Sequence, residues 1–283
     1  MAAGFIVSIF EASVYHLVTT PMLRRVRWSI TTMSLRPGRA MPRHLHRCLW
    51  CGKPTSVQII LLNAVQLGRR MKVILIGATG MIGSRVLREL LNRGHQISAI
   101  VRSPDKLQPE SNLSVVIGDV FNEDLLVESF KGHDAVIHAY KPPTDHPDRR
   151  GEHLRAIRSI VSAVRRAGLK RVLAIAGAGT LEVAPGIKYM ETAEFPKEWM
   201  MGAISTAEVT NTLRQHPELD WTALSPPHLI RPGIRTGVFR LGGDQLMRDE
   251  NNESRISAED YAVAMIDELE NPRHIRRRFT LAY

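Results

Sequence analysis

One stretch, from Met71 to Gly83, constrains the fold of this 283-residue chain more than any other. Val73-Ile74-Leu75-Ile76 is apolar without alternation, as expected of a strand covered on both faces in a parallel sheet. It runs into Gly77-Ala78-Thr79-Gly80-Met81-Ile82-Gly83, after which Ile82, Val86 and Leu90 recur at helical spacing. A turn this short between strand and helix uses its first glycine for the bend, its second for close approach of a ligand to the backbone, and its third for packing of helix on strand. The free amides that open the helix attract an anion. Strand, glycine loop, helix and second strand at these spacings point to the pyrophosphate of a dinucleotide.

After Met71 the same alternation repeats. Strands are expected at Lys72 to Ile76, Gln96 to Val101, Leu113 to Ile117, Ala135 to Ala139, Arg171 to Ala176 and Trp221 to Leu224, with amphipathic segments between them. Leu154, Ile157, Val161 and Val164 mark the inner face of one such helix. The pattern specifies an α/β fold, a doubly wound parallel Rossmann sheet. Ser257 is positioned to cap a helix that runs to about Glu270, with Glu259 and Asp260 at its positive end, and Arg278 to Tyr283 alternates as a last strand. Between Pro226 and Arg255, prolines, glycines and a short strand candidate at Gly237 to Leu241 suggest a small C-terminal lobe, from about 226, that covers a substrate.

Residues 1 to 70 are of another character. They hold 10 of the 38 basic side chains and a single acid, Glu11, so most of the net charge of +10 belongs to them. Residues 71 to 283 are nearly balanced. Met71 resembles a second beginning, and three readings of the basic leader stay open: a dispensable extension, a targeting segment, or an arm that binds nucleic acid. The balanced charge of the remainder makes nucleic acid an unexpected partner for the folded part. No run of 18 apolar residues occurs, which argues against a membrane-spanning helix. The only cysteines, Cys48 and Cys51, rule out a disulfide framework and allow a reducing compartment, so a cytoplasmic protein is expected. Together with His44 and His46 they are too crowded to surround a zinc ion comfortably, so no metal is expected.

The end of the second strand distinguishes NAD from NADP, since an acid there bonds the ribose hydroxyl whereas arginine accommodates a 2′-phosphate. Here it is Arg102, followed by Ser103-Pro104-Asp105, where Ser103 is expected to cap a short helix and, with Arg102, to address the phosphate. NADP(H) is therefore the preferred cofactor, with NAD(H) possible.

Gly-Ala-Thr-Gly-x-x-Gly, Val101-Arg102-Ser103-Pro104, Gly118-Asp119-Val120 and the strand from Asp134 to Ala139 resemble the NmrA-like, NAD(P)H-binding group of atypical short-chain dehydrogenase/reductases. Leu241-Gly242-Gly243-Asp244 and the stretch from Ser254 to Ala262 are similar to the tail of the NADH-flavin reductase family. The resemblance covers about residues 71 to 283. It implies that Gly77, Thr79, Gly80, Met81, Ile82 and Gly83 hold the pyrophosphate, Arg102 the 2′-phosphate, and Asp119 with Val120 the adenine. It also implies that His138, Ala139, Tyr140, Ala176 and Gly177 border the nicotinamide ribose and that Pro226 touches the nicotinamide side.

The Tyr-x-x-x-Lys pair of the larger family, whose lysine activates a tyrosine for proton exchange, is missing: Tyr140, Tyr189 and Tyr261 are followed four residues on by Thr144, Ala193 and Met265. A flavin substrate or similar flat acceptor takes hydride directly and needs mainly alignment. The expected activity is an NAD(P)H-dependent reductase acting on such a small-molecule acceptor. A non-catalytic redox sensor and an epimerase are the alternatives. His138, His228 and Thr180 are candidate donors toward the acceptor, each with an equally simple scaffold role. Phe195, Trp199 and Met200 would stack on a flat ring or cover the core, and Arg276-Arg277-Arg278 reads as a solvated charge run.

Overall fold

The computed structural model of the chain describes residues 70–283; the leader and its His44, His46, Cys48 and Cys51 lie outside the described residues. Seven strands run parallel: β1 (Lys72–Ile76), β2 (Gln96–Val101), β3 (Leu113–Ile117), β4 (Ala135–His138), β5 (Arg171–Ile175), β8 (Asp220–Ser225) and β12 (Arg277–Ala282). With β10 (Arg240–Gly242), which pairs antiparallel to β12, they form one eight-stranded sheet in the order β10-β12-β8-β5-β4-β1-β2-β3. Two small strand pairs stand apart from it: β6 (Glu182–Ala184) with β7 (Ile187–Lys188), and β9 (Leu229–Arg231) with β11 (Arg255–Ser257).

Side chains alternate across the sheet, and each face is covered by helices. Val73 and Leu75 of β1 join Val86 and Leu90 of α1 (Met81–Asn92) and Tyr261, Met265 and Leu269 of α5 (Ala258–Glu270). Ile74 and Ile76 point the other way, toward Phe130 of α2 (Glu123–Phe130), Ile157 and Val164 of α3 (Arg149–Arg166) and Leu213 of α4 (Met200–Arg214). Burial on both faces explains why the strands lack polar alternation. The caps are local. Asn122 and Asp148 accept from the amides of Leu125 and Gly151, and Ser257 accepts from Asp260 as its position in the sequence predicts.

The doubly wound sheet agrees with the sequence reading, and several details differ. The strand expected within Gly237 to Leu241 begins at Arg240 and extends the main sheet. No helix follows Ser103; its hydroxyl donates to the Asp105 carboxylate, which removes it as a cap. Arg278 is not a solvated charge. Its side chain is 5% exposed, bonded to Asp244 (2.5 Å) and to the Thr180 hydroxyl (2.7 Å). The stretch after Pro226 is fastened to the sheet's helices: Arg235 binds Glu89 of α1 through two nitrogens at 2.8 Å, and Asp260 of α5 accepts from the amides of Thr236 and Gly237.

Candidate functional site

The strand order places β1 between β4 and β2, so the chain leaves β1 toward β2 and β3 on one side and later toward β4, β5 and β8 on the other. Loops diverge there and leave a crevice at the carboxyl ends of the strands, the place where open α/β sheets bind ligands. Gly77 has φ +87°, and a Cβ on it would lie 2.5 Å from the Ala139 carbonyl oxygen, so the turns after β1 and β4 touch backbone to backbone. A Cβ on Gly83 would lie 2.0 Å from the Gly77 oxygen, which fixes the helix against the turn. Gly80 differs. Among the described residues a Cβ there would meet only the Gly77 oxygen, at 3.4 Å, an ordinary contact.

Gly80 caps α1 without a side-chain bond, and no acid occupies the first turn. The first backbone bond of the helix runs from the Ser84 amide to the Gly80 oxygen (2.9 Å), and the amides of Met81, Ile82 and Gly83 have no acceptor among the described residues. These donors and the helix dipole give the loop a positive potential that a phosphate can neutralise.

A cleft of about 170 Å³ lies over this loop. Its wall brings together Gly77, Thr79 and Gly80 from the first turn, Arg102 after β2, Asp119 and Val120 after β3, and Ala139 and Tyr140 after β4. Arg102 is exposed and forms no ion pair among the described residues. Lys141 also lines the cleft. Sequence reasoning missed it, although its place directly after Tyr140 at a strand end was the available signal.

The remaining candidates lie off the cleft wall. Met81, Ile82 and Gly83 form the first turn of α1 behind it, and Ser103 is engaged by Asp105. Ala176 and Pro226 are buried beyond the ends of β5 and β8, and Gly177 abuts Thr206, whose hydroxyl oxygen would be 2.1 Å from a Cβ. His138 requires a correction. Its ring is fully buried, neither nitrogen has a hydrogen-bond partner among the described residues, and it lies 5.6 Å from the His153 ring. Burial, reinforced by His153, holds its pKa down to about 3, so it stays neutral near pH 7 and is sealed from the proton traffic expected of a catalytic acid.

Tyr140 is not a substitute for the missing dyad. Its hydroxyl donates to Glu152 (3.0 Å), and burial together with that carboxylate pushes its pKa well above the ordinary phenol value. At the far end of β8, Tyr189, Phe195, Trp199 and His228 form a ring cluster, with the Tyr189 hydroxyl 2.5 Å from His228 Nδ1. Among the described residues no cluster of His, Cys, Asp and Glu suits a metal ion, and no helix is long and apolar enough to cross a membrane.

Residues 77–272 match the family described as NAD(P)H-binding. The chain is 38% identical over 214 residues to the uncharacterized protein YwnB of Bacillus subtilis, an alignment covering 75% of this chain and 98% of that one. Among solved structures, a Streptococcus pneumoniae protein provisionally named an NADH-flavin reductase is 33% identical, with a TM-score of 0.68 over 75% of this chain and 99% of its own. A Bacteroides thetaiotaomicron protein provisionally named an epimerase is 42% identical, with a TM-score of 0.71 over 76% and 98%.

Proposed function

The chain belongs to the NAD(P)H-binding family, and from that premise we propose that it is an NADPH-dependent reductase that passes hydride to a flavin or a similar flat acceptor. The observation that carries the proposal is the cleft itself, where Arg102, without an ion pair among the described residues, shares a wall with Gly80, a glycine that leaves room for a ligand and directly precedes the unbonded amides of α1. These residues fit a dinucleotide. In this reading the amides of Met81, Ile82 and Gly83 bind the pyrophosphate, Arg102 the 2′-phosphate, and Asp119 and Val120 flank the adenine. The turns after β4, β5 and β8, at Ala139, Tyr140, Ala176, Gly177 and Pro226, lie along the nicotinamide half. The nicotinamide supplies hydride when bound.

The protein's share is alignment and exclusion of water. Tyr140 is tied to Glu152 and His138 is sealed, so neither offers a mobile proton near the cleft. This suits an acceptor that takes hydride directly better than a carbonyl that needs a strong acid. The name of the S. pneumoniae relative supports the flavin class; the name of the B. thetaiotaomicron relative supports an epimerase, for which the same missing acid/base pair is a handicap. The reading places the protein in the cytoplasm, where NADPH is available, without a membrane or nucleic-acid partner for its folded part, and leaves residues 1–70 outside the activity.

The deciding assay mixes the purified chain with NADPH and FMN, FAD or riboflavin and follows absorbance at the nicotinamide band. Acceptor-dependent loss of NADPH is expected. Tight NADPH binding with no turnover on any of the three would refute the reductase and favour a dinucleotide sensor.

A further inference from the structure

Resting on the reductase reading, we infer that His228, with its proton fixed on Nε2 by the Tyr189 phenol, is the hydrogen-bond donor that meets the negative charge developing on the acceptor. His228 stands three residues past the end of β8, on the carboxyl side of the sheet. It is linked by contact to the turn after β5: a Cβ on Gly179 would lie 3.5 Å from the Phe195 ring, Phe195 packs on Tyr189 (centroids 5.1 Å), and Tyr189 packs on His228 (5.5 Å). Trp199 lies over the imidazole at 5.2 Å with a 32° tilt and is 41% exposed, leaving aromatic surface open beside a half-buried imidazole. An exposed indole beside a polar ring nitrogen suits a flat heterocycle that needs stacking and one donor.

The hydrogen-bond pattern selects the tautomer. Tyr189 is 2% exposed, and among the described residues the only acceptor within reach of its hydroxyl is His228 Nδ1. The phenol therefore donates to Nδ1, and the neutral ring carries its hydrogen on Nε2. Burial raises the tyrosine's pKa, which keeps it a phenol. Burial and then Arg248 lower that of His228, while Glu194, paired with Arg248 at 2.5 Å, opposes them. The His228 amide donates to the Ser254 hydroxyl (3.1 Å), anchoring the backbone on the remaining side.

Charge balance shows what such a group can do. A C–H bond of the reduced nicotinamide breaks, its electron pair and hydrogen form a new bond on the acceptor, and the oxidised cofactor is left behind. The acceptor gains one negative charge, which Nε2–H stabilises without releasing its proton; water supplies the single proton that neutralises the reduced product after it departs. A preorganised donor of this kind stabilises the transition state more than the ground state.

Two measurements on the full chain test the idea. Nitrogen-15 spectra of the imidazoles are expected to show His228 with bare Nδ1 and protonated Nε2 at neutral pH, and Tyr189→Phe to move both signals toward an average of the two tautomers. With FMN as the probe, His228→Leu should lower kcat about 100-fold while NADPH affinity stays within about twofold, and His228→Gln, which keeps an N–H near Nε2, should recover about a tenth of the activity. Because no proton leaves the ring, wild-type kcat should be flat from about pH 7 to about pH 9. A protonated Nδ1, or a His228→Leu enzyme within about threefold of wild type, overturns the inference and leaves the reductase standing. If the wild type turns over no flat acceptor, the reductase reading falls and takes this inference with it.

Discussion

Replacing Gly80 by alanine separates what the glycine does for the fold from what it does for a ligand. In the folded chain the added methyl meets one atom, the Gly77 oxygen at 3.4 Å, and Gly80 has φ −74° and ψ 168°, angles that alanine adopts freely. Loss of a preferred N-cap residue costs up to about 1 kcal/mol, and the reduced freedom of the unfolded chain returns about 0.4 to 1 kcal/mol. The net change should shift Tm by no more than about 3 °C for a domain of this size. Binding is another matter. The methyl projects where a pyrophosphate would approach the amides of Met81 to Gly83, and loss of one charge-assisted hydrogen bond costs about 2 kcal/mol, or about 30-fold in Kd. Gly83→Ala is the matched control, because its methyl would lie 2.0 Å from the Gly77 oxygen and must displace backbone, so it should lower Tm by many degrees. Scanning calorimetry and isothermal titration with NADPH measure both quantities. A Gly80→Ala protein that keeps wild-type affinity, or one that loses stability as badly as Gly83→Ala, would refute the assignment of the loop to a phosphate.

Arg102→Asp should weaken NADPH about 30-fold, through a lost charge-assisted bond and added repulsion, while NADH changes by less than about threefold; equal losses would remove the 2′-phosphate assignment. His138 is unprotonated in the fold down to about pH 3 but titrates near 6.5 when unfolded. Its contribution to stability is thus full above about pH 6.5 and declines as pH falls toward 3, because the unfolded state binds the extra proton. His138→Leu should flatten part of the fall in urea midpoint between about pH 6.5 and pH 4 and leave NADPH affinity intact, whereas an unchanged pH dependence would contradict the burial argument. His153, whose pKa burial lowers to about 4, is expected to add to that acid sensitivity in the same sense. Removal of residues 1–70 should leave the NADPH Kd unchanged within about twofold, as titration calorimetry can check, and a large loss would place part of the site in the leader.

The local instructions are legible from the chain alone. An apolar run, three glycines at fixed spacing and a helical stripe are properties of neighbours in sequence, so β1, its turn and α1 fall where the pattern puts them. The same holds for the Ser257 cap and for the alternation of strands and helices that makes a doubly wound sheet. What the pattern could not give depends on partners far away along the chain. Arg278 looked like one of three solvated arginines until the fold brought Asp244 and Thr180 to it, and Ser103 looked like a cap while Asp105 took its hydroxyl. His138 and His153 are 15 positions apart, and Tyr189 and His228 are 39; only the packing of α3 against the sheet and of the β8 turn against the ring cluster decides that the first pair is sealed and the second half open. Periodicity determines which face of an element is apolar, because that is set over three or four residues. Solvation and hydrogen-bond partners decide what a titratable group can do, and those are assigned only when the layers close around it.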